Sequence, residues 1–356
     1  MKNKIAIASA FVAASSLSFA EIALTENLSV EGFVDMSYSH AEDDFDGVKE
    51  STNSYTLDQV EITFNMDFDA VSAQIDLEWD EGTDAANVDQ GFVTYDRGNG
   101  TAITAGRYDS MLGFEAFEPT GLYQYSTAYS SDTELLVDAK ITYSDLITPG
   151  TNEGVKITHE NDSSFFGISI QDGGFFGDDR LGGDSDSSVL AELIEQLGGP
   201  LAANSSGYAV EAAFATDLGN GLSLFAGALF ETAEVDGIDV DSTVFNTYIT
   251  YETGAWLFAA EYIMTEHDFD NLGELEIDSF LVMANYSYSD QASITGRVSH
   301  VDADDFLEAT KFTLAHNYAF TDNLLLVTEL STVDYDYADG GSGDTLEAAV
   351  ELLFTF

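Results

Sequence analysis

Residues 345–356 read Thr345-Leu-Glu-Ala-Ala-Val-Glu-Leu-Leu-Phe-Thr-Phe356. Leu346, Ala348, Val350, Leu352, Phe354 and Phe356 share one face of an extended chain, and Thr345, Glu347, Ala349, Glu351, Leu353 and Thr355 share the other. One face is wholly apolar and the other mostly polar, with a period of two. That pattern suits a strand with lipid on one side and water on the other. A helix would need its apolar residues every three or four positions, which this stretch lacks.

The same alternation recurs upstream. Val60, Ile62, Phe64, Met66 and Phe68 oppose Gln59, Glu61, Thr63, Asn65 and Asp67. After Asp69-Ala70, Val71, Ala73, Ile75, Leu77 and Trp79 oppose Ser72, Gln74, Asp76, Glu78 and Asp80. Two alternating runs separated by two residues predict a hairpin. Further tight turns are expected at 97–100, 161–164, 218–221, 253–254, 289–291 and 321–323. Between them lie longer, acidic, Gly-rich connections at 41–54, 81–86, 110–153, 173–206, 234–241, 267–273, 302–305 and 338–344. Short and long connections alternate strictly, which gives sixteen strands with both ends on the short-turn side. An all-β, antiparallel transmembrane barrel with short periplasmic turns and long outer loops is the expected fold. Of the two strand-like pieces between 135 and 161, the second, 155–159, is assigned to the wall and the first, 139–143, to the loop. Residues 187–199 are expected to form a short helix within another loop.

The front of the chain fits an exported protein. Lys2 and Lys4 precede an apolar or small stretch ending in Ser18-Phe19-Ala20, so residues 1–20 are expected to be a signal peptide and 21–356 one barrel domain. The chain has no Cys, hence no disulfide framework, and its formal net charge is −55. Such a surface is a poor partner for nucleic acid. Yet 45% of residues are hydrophobic and interleaved with the acids, which excludes a disordered acidic tail.

The segments Leu28-Ser-Val-Glu-Gly-Phe-Val-Asp-Met-Ser-Tyr-Ser39, Gln90-Gly-Phe-Val-Thr-Tyr95 and Ala105-Gly-Arg-Tyr-Asp-Ser-Met-Leu-Gly-Phe-Glu115, with Phe356 at the other end, resemble the OmpL-like β-barrel porins of Gram-negative outer membranes. General diffusion porins, sixteen-stranded and usually trimeric, are the alternative family. The resemblance implies passive diffusion of small hydrophilic solutes, no enzymatic activity and an outer-membrane location among lipid and lipopolysaccharide; the alternative family would add a homotrimer, and monomer and trimer both stay open. It also implies that the strand ending in Phe356 is the signal read by the barrel assembly machinery. Three other readings stay open: a structural or adhesive barrel with a plugged lumen, an outer-membrane hydrolase built on one of His40, His159, His267, His300 or His316, and a soluble secreted β-protein.

Within a water-filled barrel, inward carboxylates raise the local cation concentration. Glu61, Asp76, Glu78, Glu347 and Glu351 are expected to point inward and to favour cations. Arg107, Lys140, Lys156, Arg297 and Lys311 are the bases outside turns and loop tips. The longest connection, 110–153, follows the fifth strand. By resemblance it folds into the lumen and places Arg107, Asp109, Glu115 and Glu118 at the constriction, the arginine facing carboxylates. No cofactor and no assigned metal ligand is expected. The acidic clusters Glu42-Asp43-Asp44, Asp178-Asp179 and Asp184-Ser-Asp186 are placed in outer loops, where loosely bound Ca²⁺ or Mg²⁺ would be their partner. Trp79, Trp256, Tyr286, Tyr288, Tyr318 and Phe320 are candidates for aromatic girdles.

Overall fold

The computed structural model describes residues 21–45, 47–80, 86–115, 118–129, 134–136, 139–142, 146–176, 205–235, 238–270, 272–304, 306–338 and 340–356. The expected signal peptide, the expected helix at 187–199 and the acidic pairs at 178–179 and 184–186 lie outside the described residues.

Sixteen strands form the wall: β1 Leu28–Phe45, β2 Val48–Phe68, β3 Val71–Asp80, β4 Asn87–Asp96, β5 Thr101–Asp109, β6 Thr151–Glu160, β7 Ser164–Gln171, β8 Ser205–Gly219, β9 Leu222–Val235, β10 Ile238–Thr253, β11 Trp256–Phe269, β12 Gly273–Ser289, β13 Ala292–Ala303, β14 Leu307–Thr321, β15 Leu324–Tyr337 and β16 Ser342–Thr355. Each pairs antiparallel with its neighbours in sequence, and β16 pairs with β1 from Gly343↔Phe45 to Thr355↔Phe33, which closes the cylinder. Phe356 continues the seam by exchanging backbone hydrogen bonds with Gly32 at 2.9 and 3.0 Å. A two-residue strand, Ile22–Ala23, adds to β1. Closure leaves no sheet edge in lipid, where an unpaired backbone group would be costly. No helix among the described residues is long and apolar enough to cross a membrane; a barrel crosses with strands.

The alternation read in the sequence sets which face meets lipid. On β16, Leu346, Val350 and Phe354 are exposed on the outer surface while Ala349, Glu351 and Leu353 are buried within. On β12, Phe280 and Val282 are exposed outside and Leu281 and Met283 are buried inside. At the short-turn end, Trp256 lies 4.5 Å from Tyr286 and stacks on Phe258 at 5.5 Å, and Tyr318 meets Phe320 edge-on. These exposed rings form the girdle expected where lipid meets water. Trp79 is exposed at the opposite end of its strand.

All seven tight turns fall where the sequence puts them. Asn220 and Gly221 take φ of 58° and 81°, the paired positive values of a type I′ hairpin. A Cβ on Gly221 would collide with the carbonyl oxygen of Glu252. Gly221→Val is therefore expected to destabilise the barrel by about 1–3 kcal/mol, read as an earlier loss of the compact, heat-modifiable gel band.

Several connections read as long loops are strand instead. β1 and β2 run on to Phe45 and from Val48, so most of 41–54 is a strand hairpin. The connections at 234–241, 267–273, 302–305 and 338–344 shorten in the same way. Glu42, Asp43 and Asp44 thus lie on β1, not in a loop. Asp44 pairs with Lys49 at 2.7 Å, and Asp43 accepts from Thr345 Oγ1 at 2.7 Å. Backbone pairing needs no apolar face, so strands persist after the alternation stops. The expected choice between 139–143 and 155–159 holds: Thr151–Glu160 is wall, and Ala139–Thr142 pairs with Glu134–Leu136 off the wall.

Candidate functional site: the loop-filled lumen

Beyond β5 the chain turns into the barrel, and inward-facing side chains receive it. Glu211 on β8 accepts from Ser110 Oγ at 2.8 Å and from the Met111 N–H at 2.7 Å. Asn246 on β10 accepts the Gly113 N–H at 3.1 Å. Glu261 on β11 accepts the Phe114 N–H at 2.7 Å, the Asn246 amide at 2.7 Å and the Tyr129 hydroxyl at 3.1 Å. Glu329 on β15 takes the N–H groups of Tyr125 and Ser126 at 2.9 and 3.1 Å and Ser126 Oγ at 2.5 Å. A second connection does the same: the N–H groups of Gly174, Phe175 and Phe176 converge on Glu231 of β9 at 2.8–3.0 Å. An irregular segment within a barrel leaves backbone donors without ladder partners, and buried carboxylates satisfy them with strong charge-assisted bonds.

Arg297 on β13 supplies the opposite function. It is 2% exposed. Its guanidinium donates to Glu115 at 2.5 Å, to the Ser126 and Thr127 carbonyls at 2.9 Å and to Thr313 Oγ1 at 3.2 Å. Glu115 is held further by Gln124 Nε2 and the Ala128 N–H, both at 2.6 Å. Of the ion pairs among the described residues, Arg297–Glu115 is the one that joins loop to wall. Thr295, Ser299, Asn317 and Lys311 donate to neighbouring loop carbonyls.

Apolar packing completes the seat. Leu112, Phe114, Leu146, Ile147, Phe175 and Phe176 are buried against inward residues of β8–β15, among them Leu229, Val244, Ile263 and Leu281. This half of the lumen is thus a packed core. His267 is buried within it; Ser242 Oγ lies 2.9 Å from Nδ1 and the Leu146 carbonyl 3.0 Å from Nε2. With Phe175 and Phe176 edge-on to its ring, His267 fastens the loop.

The other half, β1–β5, is acidic. Glu61 and Asp76 are 7% and 1% exposed. Gln59 Nε2 donates to Glu78 at 2.8 Å and to the loop's Glu118 at 2.9 Å. Glu61, Asp89 and Glu118 bring carboxylate oxygens within 4.8 Å of one another. Burial first, then Glu61, Asp89 and Glu78, push the Glu118 carboxyl up to about 10. Asp109 and Asp89 share the Thr151 hydroxyl at 3.1 and 3.3 Å. Across the seam, Asp35 and Glu351 are 4% and 2% exposed and stand beside each other, and Glu347 accepts from Ser331 at 3.2 Å. Lys156 lies 4.2 Å above the Tyr108 ring, and Tyr108 OH is 2.8 Å from Ser169 Oγ.

The structure therefore gathers Glu61, Asp76, Glu78, Asp109 and Glu118 on one side of the lumen and sets Glu347 and Glu351 near the β16–β1 seam. Glu115 is apart from them, on Arg297. Arg107 acts electrostatically on Asp89, and its Nε is buried without a hydrogen-bond partner. The anchors Glu211, Glu231, Glu261 and Glu329 escape a sequence reading. Their one trace is a lone acid in mid-strand among Ala, Leu, Val or Phe on the inward parity, as in Ala-Ala-Glu261-Tyr.

The family model described as "Putative beta-barrel porin-2, OmpL-like" matches residues 27–356. Among solved structures, the anion-selective porin from Comamonas acidovorans is 14% identical, with 92% of this chain and 99% of that chain covered and a TM-score of 0.64. The outer membrane channel DcaP of Acinetobacter baumannii is 12% identical, with coverage of 92% and 97% and a TM-score of 0.64. Outer-membrane expressed OmpT of Vibrio cholerae is 13% identical, with coverage of 94% and 100% and a TM-score of 0.60. At these identities the likeness is one of fold. Comparison with curated proteins gives no match.

Proposed function

Because this chain belongs to the OmpL-like β-barrel porin family, we propose that it is an outer-membrane channel through which small hydrophilic solutes diffuse passively, cations ahead of anions. The observation that carries this reading is the division of the lumen. The described part of the loop sets its apolar side chains against β8–β15 and meets the first strands through polar ones, Glu118 at Gln59 and Tyr125 at Ser37; the proposed water route follows this polar side. There Glu61, Asp76, Glu78, Asp89 and Asp109 face Glu118 with Arg107 and Lys156 as the nearby bases. Fixed carboxylates along a narrow path attract cations through the field.

Liposome swelling tests the proposal. Neutral sugars should enter more slowly as their size rises, and at low salt lysine should enter faster than glutamate. No swelling would point to a sealed barrel; faster glutamate would overturn the charge assignment. The lysine advantage should shrink as salt rises, because the Debye length falls from about 10 Å at 0.1 M to about 3 Å at 1 M. An advantage that survives 1 M salt would mean specific binding rather than a diffuse field.

A trimeric assembly accompanies the proposal. In-vitro folded OmpT of Vibrio cholerae, similar in fold with a TM-score of 0.56, is described in a trimer form. Cross-linking in native outer membranes tests it, and a product no larger than one chain would reject it.

A further inference from the structure

The acidic group between wall and loop has more buried acceptors than donors. Glu61 from β2, Asp89 from β4 and Glu118 from the loop each offer an oxygen, all within 4.8 Å. Thr63 donates to Glu61 Oε1 at 2.9 Å, but Glu61 Oε2 has no hydrogen-bond partner although the residue is 7% exposed. Asp76, on the strand between β2 and β4, is 1% exposed. Its Oδ2 accepts from Gln74 at 2.8 Å, while Oδ1 is without a partner. Asp76 stands opposite Thr63 in the strand register and is the foremost charged neighbour of Glu61. The polar neighbours Gln59, Thr63, Gln74 and Thr151 are each already engaged with a carboxylate. Arg107 offsets Asp89, but Glu61 Oε2 and, on the strand between, Asp76 Oδ1 stay buried without a partner, which leaves the group short of positive charge.

We infer that Glu61, Asp89 and Glu118 bind a calcium ion that clasps loop 110–150 to the channel wall. All three ligands are hard carboxylate oxygens. Calcium holds such oxygens at 2.3–2.6 Å, so ligands on opposite sides of one ion stand up to about 5 Å apart; magnesium at 2.0–2.1 Å draws them to about 4 Å. Oxygens within 4.8 Å of one another fit inside calcium's span, and calcium takes several protein carboxylates in flexible geometry where magnesium keeps most of its waters. The ligands come from two strands and one loop, so occupancy ties together segments far apart in sequence. The ion would sit on the acidic wall that lines the proposed route, and the test reads binding rather than passage, so the two readings can fail separately.

Equilibrium dialysis of the detergent-folded full chain against radioactive calcium tests it. The wild type should show one saturable site with a Kd of about 1 mM or tighter, as in extracellular calcium modules. Glu118→Gln and Glu61→Gln should each weaken binding by about tenfold or more, since each removes an oxygen that bears negative charge once the ion displaces any proton on it. Neutralising Glu266, Glu274 and Glu276, a more exposed acidic trio elsewhere, should leave it unchanged. Heat-modifiability confirms that each variant is folded, and Asp89→Asn replaces either variant that is not. No binding to the wild type, or binding that survives these substitutions, would overturn the inference. Loss of binding only on neutralising the exposed trio would overturn it as well.

Discussion

Arg297→Ala should cost about 3–5 kcal/mol of stability and widen the channel. The arginine is buried, and its removal leaves the Glu115 carboxylate and the Ser126 and Thr127 carbonyls with Lys311, 3.4 Å from the Thr127 oxygen, as the neighbouring cation. Breaking one side of a buried pair carries that penalty because the remaining charge stays desolvated. The barrel itself does not depend on the pair: its strands are joined by continuous backbone ladders, and the cost falls on the loop. The expected result is a folded barrel whose segment 110–129 becomes sensitive to protease and whose single-channel conductance rises. Arg297→Lys should lie between, since lysine keeps the charge but loses the planar fork that reaches Glu115 and the carbonyls together. A protease-resistant loop and unchanged conductance in Arg297→Ala would mean that the glutamate anchors alone hold the constriction.

The second large effect concerns ion preference. Glu78→Lys with Asp89→Lys reverses two charges on the acidic wall without touching the packed half of the lumen. A unit charge about 4 Å from an ion in water is worth about 1 kcal/mol, or about fivefold in local concentration, and reversal counts it twice. Cation preference should therefore fall severalfold, most clearly at low salt. The same pair of substitutions at Glu266 and Glu274, outside this cluster, should change it little.

What the sequence discloses and what it hides divide along physical lines. Period-two alternation records the contrast between lipid and interior, so Leu346, Val350 and Phe354 announced their outward face. Turn chemistry did the same at Asn220-Gly221. The strand in 41–54 leaves no alternation because polar and charged residues stand on both its faces, so no apolar contrast marks it. The constriction residues were half legible. Resemblance to porins points the connection 110–153 into the lumen, but Glu115 meets Arg297, 182 residues away, and no local spacing encodes such a meeting. The glutamate anchors were least legible. Their partners are backbone N–H groups, which every residue but proline carries, together with common hydroxyls such as Ser110 and Tyr129, so Glu211 and Glu261 leave no complementary charge in the loop they hold.

The reversal potential across a planar bilayer under a KCl gradient at low ionic strength tests most directly whether the acidic wall is the conducting path. The wild type should give the sign of a potassium-preferring channel, and the Glu78→Lys, Asp89→Lys variant should move it strongly toward chloride. A wild-type potential with the chloride sign, or one that the double reversal leaves in place, would contradict the account.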